Sequence, residues 1–261
     1  MYFFKKYFQK PRFVFYVLPF IVVSIFIVFN SLAMLFFTGG TYYDHHAVGY
    51  RFTENFFSDL GRFITYSGKV NVVSFFLFNS AILLVGLTFL QFFIQFKRLF
   101  ISDKLNQQLA FLGMLFGISG SICMIGVALT PADLIYAPHN FFATWLFRFF
   151  FPATLCFAIA LFRSQHFPNR MAWAYLMWSV LVVGYVLVSE LGPSVSSSPE
   201  ALIFQVTAQK IIVFTFVLAT FYQSFQINGL LKRVCFYSSS YYDEFSDGFF
   251  TALQSYSNQR E

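Results

Sequence analysis

Six stretches of apolar residues, each long enough to cross a bilayer, constrain this chain more than any other feature. They cover residues 13–37, 70–96, 109–130, 140–162, 171–189 and 201–225. A spanning helix needs about 20 predominantly apolar residues, because the hydrocarbon core is roughly 30 Å thick and a helix rises about 1.5 Å per residue. The sequence therefore predicts an all-α fold, a polytopic bundle of six transmembrane helices within 1–225, with a loop at 38–69 and a tail at 226–261.

The composition agrees with a membrane protein and argues against a nucleic-acid-binding protein. Hydrophobic residues make up 58% of the chain and charged residues only 11%, whereas soluble domains carry about 25% charged residues. The formal net charge of +6 comes from basic residues at the ends of the apolar stretches, where they orient membrane helices. We therefore expect a cell-membrane location with lipid as the surroundings, and no nucleic-acid partner.

The basic residues also predict the orientation of the bundle. They flank the cytoplasmic ends of the stretches in four groups: Lys5, Lys6, Lys10 and Arg12; Lys97, Arg98 and Lys104; Arg163 and Arg170; Lys232 and Arg233. All four groups fall on the same side of a six-helix bundle, and cytoplasmic loops carry an excess of lysine and arginine. This pattern predicts that both termini are cytoplasmic and that the 38–69 loop is external.

Two cations lie deep inside predicted helices. Arg148 is about 12 Å and Lys210 about 14 Å below the external ends of their stretches, near the middle of the hydrocarbon core. Charges at this depth are costly and mark a function or a specific partner. We expect a polar cavity that opens to the external side, with the two cations at its floor. Its other candidate ligand-binding residues are Ser58, Asp59, Asp133, His139, Glu190 and Gln209.

Several functions fit such a cavity. The leading prediction is a protein that binds an anionic lipid headgroup or a small anion, because the two cations would form charge-assisted hydrogen bonds in a low-dielectric site. A zinc-dependent membrane hydrolase that uses Asp59, Asp133 and His139 is one alternative, although no H-E-x-x-H pattern supports it. A secondary transporter is another. Structural pairing of the cations with Glu190 and a second acid is the simplest interpretation. No resident cofactor is expected.

Two further patterns concern packing. Gly113, Gly117 and Ser121 recur every four residues in the third stretch, which allows another helix to approach closely, either inside the bundle or in a homo-oligomer. In the external loop, apolar residues between Phe52 and Phe63 recur at helical spacing. This spacing predicts a short helix that lies on the membrane surface.

Two short motifs carry a resemblance to a known family. The sequence N-F-F-S-D-L-G at 55–61, together with T-P-A-D at 130–133 and P-H-N at 138–140, resembles the prokaryotic membrane family of the DUF 998 type over most of the six-helix region. The S-D-L-G element is also similar to that of the Frag, DRAM and Sfk membrane proteins, some of which are linked to lipid handling. The resemblance implies a prokaryotic cytoplasmic membrane, and it points to Ser58, Asp59, Gly61, Asp133 and His139.

Overall fold

The structure is a computed structural model that describes residues 11–100, 103–165 and 167–237, with side chains of the last helix described as far as Leu230. Within these ranges the chain forms six helices that are long and apolar enough to span a membrane, and no named strand. They are α1 (Leu18–Phe36, preceded by a π-helical turn at Phe13–Val17), α2 (Val72–Phe96), α3 (Lys104–Leu129), α4 (Tyr136–Phe162), α5 (Asn169–Leu191) and α6 (Pro199–Tyr237). The predicted all-α class and helix number are confirmed, while the side of the membrane on which each terminus lies stays a prediction.

The ends of α6 show what the sequence predicts well and what it predicts poorly. Its start is indicated by the sequence Ser-Pro-Glu at 198–200, an N-cap residue followed by a proline and an acid. In the structure the Ser198 hydroxyl accepts a hydrogen bond from the Ala201 N–H at 3.2 Å, and Pro199 is the first helical residue. The predicted end at Phe225 is wrong, because the helix continues to Tyr237. The end of an apolar stretch predicts where contact with lipid ends, not where the helix ends. Polar residues such as Gln226 have good helix propensity, so the helix can continue beyond the apolar stretch. The tail predicted to begin at 226 therefore begins later, and residues 238–261 lie outside the described ranges.

The helices form a closed ring in the order of the chain. Each of α1 to α5 packs against the helix that follows it, and α6 packs against both α5 and α1. The interior of the ring is filled largely by phenylalanines: Phe96 lies 5.0 Å from Phe92 and 4.9 Å from Phe157 between ring centroids. These separations are typical of favourable aromatic pairs. Aromatic packing therefore stabilises the half of the bundle at the predicted cytoplasmic side.

The glycine stripe of α3 fits against these rings. A Cβ atom at Gly113 would lie 2.9 Å from the ring of Phe157, and one at Gly117 would overlap the ring of Phe93. Ser121 is fully buried and donates its hydroxyl hydrogen to the Gly117 carbonyl at 2.8 Å. The stripe is therefore covered by α2 and α4 of the same chain, which favours packing inside the bundle over the homo-oligomer face at Gly113, Gly117 and Ser121. The oligomeric state itself stays a prediction.

Replacing Gly117 by alanine tests this close packing. We expect Gly117→Ala to lower the free energy of unfolding by about 1–3 kcal/mol, because α2 or the Phe93 ring must move to admit one methyl group. The matched control is Gly184→Ala, where nothing lies within 4 Å of the new methyl group; there, the better helix propensity of alanine stabilises by up to about 1 kcal/mol. Thermal unfolding of both variants in one detergent checks the expectation, and equal stability of the two would contradict it.

Candidate functional site

Residues 38–71 form an irregular segment that enters the end of the bundle predicted to be external; we call this segment the outer cap and this end the outer end. The predicted surface helix is wrong. A short 3-10 helix, Phe57–Gly61, forms instead, and Leu60 within it is completely buried. Leu60 packs in a small apolar cluster with Ala33 and Phe37 from the α1 end and with Phe78 from α2. Leu60 thus faces the bundle, whereas Phe52 is 56% exposed.

Asn55 and Asp59 hold the cap in shape from within. The Asn55 amide donates to the Gly40 carbonyl at 2.9 Å, and the Asp59 carboxylate accepts from the Phe56 N–H at 2.8 Å. Asp59 is only 5% exposed, and its burial raises the pKa of the carboxyl above its ordinary value, against the opposing effects of Arg62, the Phe56 N–H, Asn55 and Lys210. Asp59 therefore serves the local fold of the cap, and its carboxylate does not face an open cavity.

The N-terminal part of α2 binds the backbone of the cap. Asn71 donates to the Arg62 carbonyl at 3.0 Å, Ser74 to the Leu60 carbonyl at 3.0 Å, and Asn79 to the Gly61 carbonyl at 3.2 Å. Gly61 is needed for this approach, because a Cβ atom there would lie 2.6 Å from the Phe78 ring. Backbone groups away from water need such partners. Asn71, at the end of the cap, and Ser74 and Asn79 of α2 thus supply hydrogen bonds to backbone groups of the cap.

Lys210 and Gln209 of α6 bind the cap from the opposite side. The Lys210 ammonium donates to the Asn55 carbonyl at 2.6 Å and to the Tyr50 hydroxyl at 2.7 Å, and it lies 4.4 Å from the centroid of the Phe57 ring. The rings of Tyr50 and Phe52 are each 5.2 Å away. Gln209 accepts from the Phe57 N–H at 2.8 Å. Lys210, which is 6% exposed, is therefore enclosed by carbonyl, hydroxyl and aromatic groups of the cap.

Asp133 and His139 shape the α3–α4 turn beneath the cap. The Asp133 carboxylate accepts from two consecutive backbone N–H groups of the cap, Phe63 at 3.0 Å and Ile64 at 2.8 Å. His139 Nδ1 lies 2.6 Å from the Thr130 carbonyl oxygen, which closes the turn. Ser58 lies in the 3-10 helix and is partly exposed. Each of these residues has a structural position in or next to the cap.

The zinc alternative is not supported by this arrangement. Asp59, Asp133 and His139 are engaged with four different backbone groups, those of Phe56, Phe63, Ile64 and Thr130. Among the described side chains of residues 11–100, 103–165 and 167–230, no three His, Cys, Asp or Glu residues come together as a metal-binding group. The sequence grouped these three residues because all are on the external side, and being on one side is a much weaker condition than sharing one ligand.

Arg148 and Glu190 form a separate pair between α4 and α5. Their side chains are joined by an ion pair and a hydrogen bond, and the Arg148 guanidinium lies 5.4 Å from the ring of Trp145. The side chains of Arg148 and Glu190 are 27% and 45% exposed, so the pair lies at the outer surface of the ring of helices. The two cations therefore have different partners, and a cavity floor that they share stays a prediction. The ion pair of Arg148 with Glu190 agrees with the simplest interpretation of the sequence, in which the cation pairs with this acid.

The cavity that the structure does contain is apolar and lies at the centre of the bundle. Its volume is about 80 Å³, and all six helices contribute to its wall. The lining includes Phe26, Val85, Met124, Leu146 and Val213, with no charged side chain. Val213 is one turn further along α6 than Lys210, which places the cavity beneath the outer cap. The sequence carries no signal for this cavity, because apolar residues that line a space and apolar residues that fill one look the same in a sequence.

Two smaller cavities lie further toward the opposite end of the bundle. They measure about 40 and 30 Å³, and Trp178 borders all three. Phe150 and Phe216 border both the first and the second, and Tyr175 and Gln223 border both the second and the third. The third lies between α5 and α6 and reaches Tyr222, whose side chain is 38% exposed. We call this series of cavities the corridor.

Comparisons with protein-family models, with curated proteins and with solved structures find no match to this chain. The resemblance to the DUF 998 type thus stays an expectation from its two motifs. The structure nevertheless gives the motif residues a physical role. Asn55, Asp59 and Gly61 shape and dock the cap, while Asp133 and His139 secure the turn on which it rests.

Replacing Lys210 by methionine tests how the cap is held. We expect Lys210→Met to lower the free energy of unfolding by about 2–3 kcal/mol, because the Asn55 carbonyl and the Tyr50 hydroxyl lose a charged donor in a buried site. Hydrogen exchange of residues 50–57 should accelerate in parallel. The control is Lys69→Met, at an exposed position of the same cap. Unchanged exchange in a folded Lys210→Met protein would show that the ammonium does not hold the cap.

Replacing Asp133 by alanine tests the second attachment. Asp133→Ala removes the acceptor of the Phe63 and Ile64 N–H groups, so the exchange of these two amides should rise at least about tenfold, as expected for a hydrogen bond to a charged group. The protection of the Phe57 amide, which Gln209 provides from another helix, is the internal reference. Equal acceleration of all three amides would indicate general loosening and would contradict a local role for Asp133.

Proposed function

We propose that this multi-pass protein binds a membrane lipid within its helical bundle, with an acyl chain in the corridor. The observation that carries this proposal is the central apolar cavity walled by all six helices. Acyl chains are the most abundant apolar molecules around a membrane-spanning bundle, and an apolar cavity without polar partners does not hold water. The proposal keeps the expected lipid partner and moves its site from the external polar residues to the apolar interior.

The energetic cost of the empty cavity supports an occupant. A cavity of 80 Å³ costs about 2 kcal/mol, because the atoms around it lose packing contacts. The chain has 42 phenylalanines and fills the space around Phe92, Phe96 and Phe157 tightly, so bulky side chains are not lacking. Methylene groups of an acyl chain would restore the lost contacts in the central cavity.

The position of the corridor indicates how a lipid enters. Its third cavity reaches the surface between α5 and α6 near Tyr222, about 12 Å along α6 from Leu230. With both termini cytoplasmic, as the basic residues predict, this opening lies in the cytoplasmic leaflet. A lipid of that leaflet would insert its chain between α5 and α6 toward the central cavity, while the outer cap closes the opposite end.

The other functions predicted from the sequence gain less from the geometry. An anion at Lys210 would have to displace the Asn55 carbonyl and the Tyr50 hydroxyl. A metal-dependent hydrolase would need Asp59, Asp133 and His139 to leave their backbone partners. An acyl chain in the apolar cavities would require neither rearrangement, and lipid binding is therefore the function that the geometry supports best.

Filling the central cavity tests the proposal. Val213→Phe places a ring in the cavity. We expect it to abolish the photocrosslinks that a phosphatidylethanolamine, with a diazirine near the end of its acyl chain, forms with the residues lining the cavity. The measurement is made in nanodiscs, with mass spectrometry to locate the crosslinked peptides. In the unsubstituted protein, crosslinks should fall on the cavity segments of α4 and α6.

The matched control is Ile211→Phe, which adds the same volume to the same helix at a position that is 55% exposed. Crosslinks to the cavity segments should persist in this control. If the probe reacts only with exposed residues in the unsubstituted protein, the chain does not enter the bundle and the proposal is wrong.

A further inference from the structure

We infer that Tyr175 and Gln223 form a polar anchor in the corridor that takes the carbonyl oxygen of an acyl lipid, as an ester, amide or acid; this inference rests on the proposed function and specifies its ligand. The two residues come from α5 and α6, which flank the surface opening. Both border the second and third cavities. The anchor thus lies where a lipid entering from the membrane passes from its headgroup to its chain.

The hydrogen bonds of this pair leave a donor without a partner. The Tyr175 hydroxyl donates to the Gln223 Oε1 atom. The Gln223 Nε2 atom is inaccessible to solvent and has no hydrogen-bond partner among the described residues. A buried amide donor is unfavourable when it is unpaired. The site therefore lacks an acceptor.

The other polar groups that border the second cavity do not supply this acceptor. Thr154 and Thr220 donate their hydroxyl hydrogens to carbonyls of their own helices, those of Phe150 and Phe216. These internal bonds use the hydroxyl hydrogens, and neither hydroxyl oxygen accepts a hydrogen bond from Gln223 Nε2. Gln223 differs because its amide has donors that its own helix turn does not use.

A lipid carbonyl fits what is missing. A carbonyl oxygen accepts hydrogen bonds and donates none, so it matches Nε2 while Tyr175 occupies the other end of the amide. From Gln223 to Val213 the distance along α6 is about 15 Å, which a long acyl chain can span. A lipid held by its carbonyl at Gln223 would therefore place its chain in the second and central cavities. A plain hydrocarbon would fill the same space and leave the amide unpaired.

Quenching of Trp178 fluorescence by two brominated probes tests the anchor. Trp178 borders all three cavities, whereas Trp145 and Trp173 are 40% and 56% exposed on the bundle surface. These are the three tryptophans of the chain, so Trp145→Phe/Trp173→Phe leaves only the corridor reporter. In detergent, we expect methyl dibromostearate to quench saturably at about tenfold lower concentration than dibromo-octadecane, because only the ester pairs with Nε2.

In this background, Gln223→Leu should lower the affinity for the ester to that for the hydrocarbon. The affinity for the hydrocarbon should not change, and this unchanged affinity also shows that the variant is folded. Thr220→Val removes a different polar group of the corridor, a hydroxyl, and should keep the tenfold preference for the ester.

The two proposals fail in different ways in this experiment. Equal affinity for the ester and the hydrocarbon in the Gln223-containing protein overturns the anchor and leaves lipid binding in place, and so does a preference that persists in Gln223→Leu. Absence of saturable quenching by either probe overturns the corridor itself. Because the first comparison needs no change at Gln223, the anchor is tested even if the leucine variant does not fold.

Discussion

The structure depends on one constraint: the irregular backbone of the outer cap lies inside the end of a helical bundle, and its polar groups must find partners there. Irregular backbone at such a position is stable only where surrounding protein supplies the hydrogen bonds. α2 does so through Ser74 and Asn79, and α6 through Gln209 and Lys210. Asn71, the last residue of the cap, adds a hydrogen bond to the Arg62 carbonyl. The concentration of polar residues in one half of the bundle follows from this requirement.

The two deep cations show two ways to keep a charge in a low-dielectric setting. Lys210 is surrounded by a backbone carbonyl, a hydroxyl and three aromatic faces. Its charge also interacts with the carboxyl group of Asp59 in the cap. Arg148 is paired directly with Glu190 at the bundle surface. The first arrangement fixes the cap onto α6, and the second joins α4 to α5. Both therefore stabilise the structure, and the space for a ligand lies elsewhere.

The space proposed for a lipid is in the apolar interior, where cavities remain between aromatic side chains. The glycines of α3 let rings from α2 and α4 approach closely, while the α5–α6 side retains the cavities that Trp178 borders. Under the proposed function, a lipid would enter through the gap between α5 and α6, next to the Tyr175–Gln223 pair, while the cap closes the outer end.

The sequence by itself determined the six helices and the start of α6 after its N-cap Ser198. The length of an apolar stretch and a capping residue depend only on residues that are close together along the chain. It also identified Lys210, Asp59 and Asp133 as residues with unusual requirements. Only the tertiary structure decided their partners: Lys210 binds the carbonyl of Asn55, and Asp133 binds the backbone of Phe63 and Ile64, in segments far away along the chain. The cavities were equally beyond the sequence, because a void is the difference between the space that six helices enclose and the volume of the side chains that meet there.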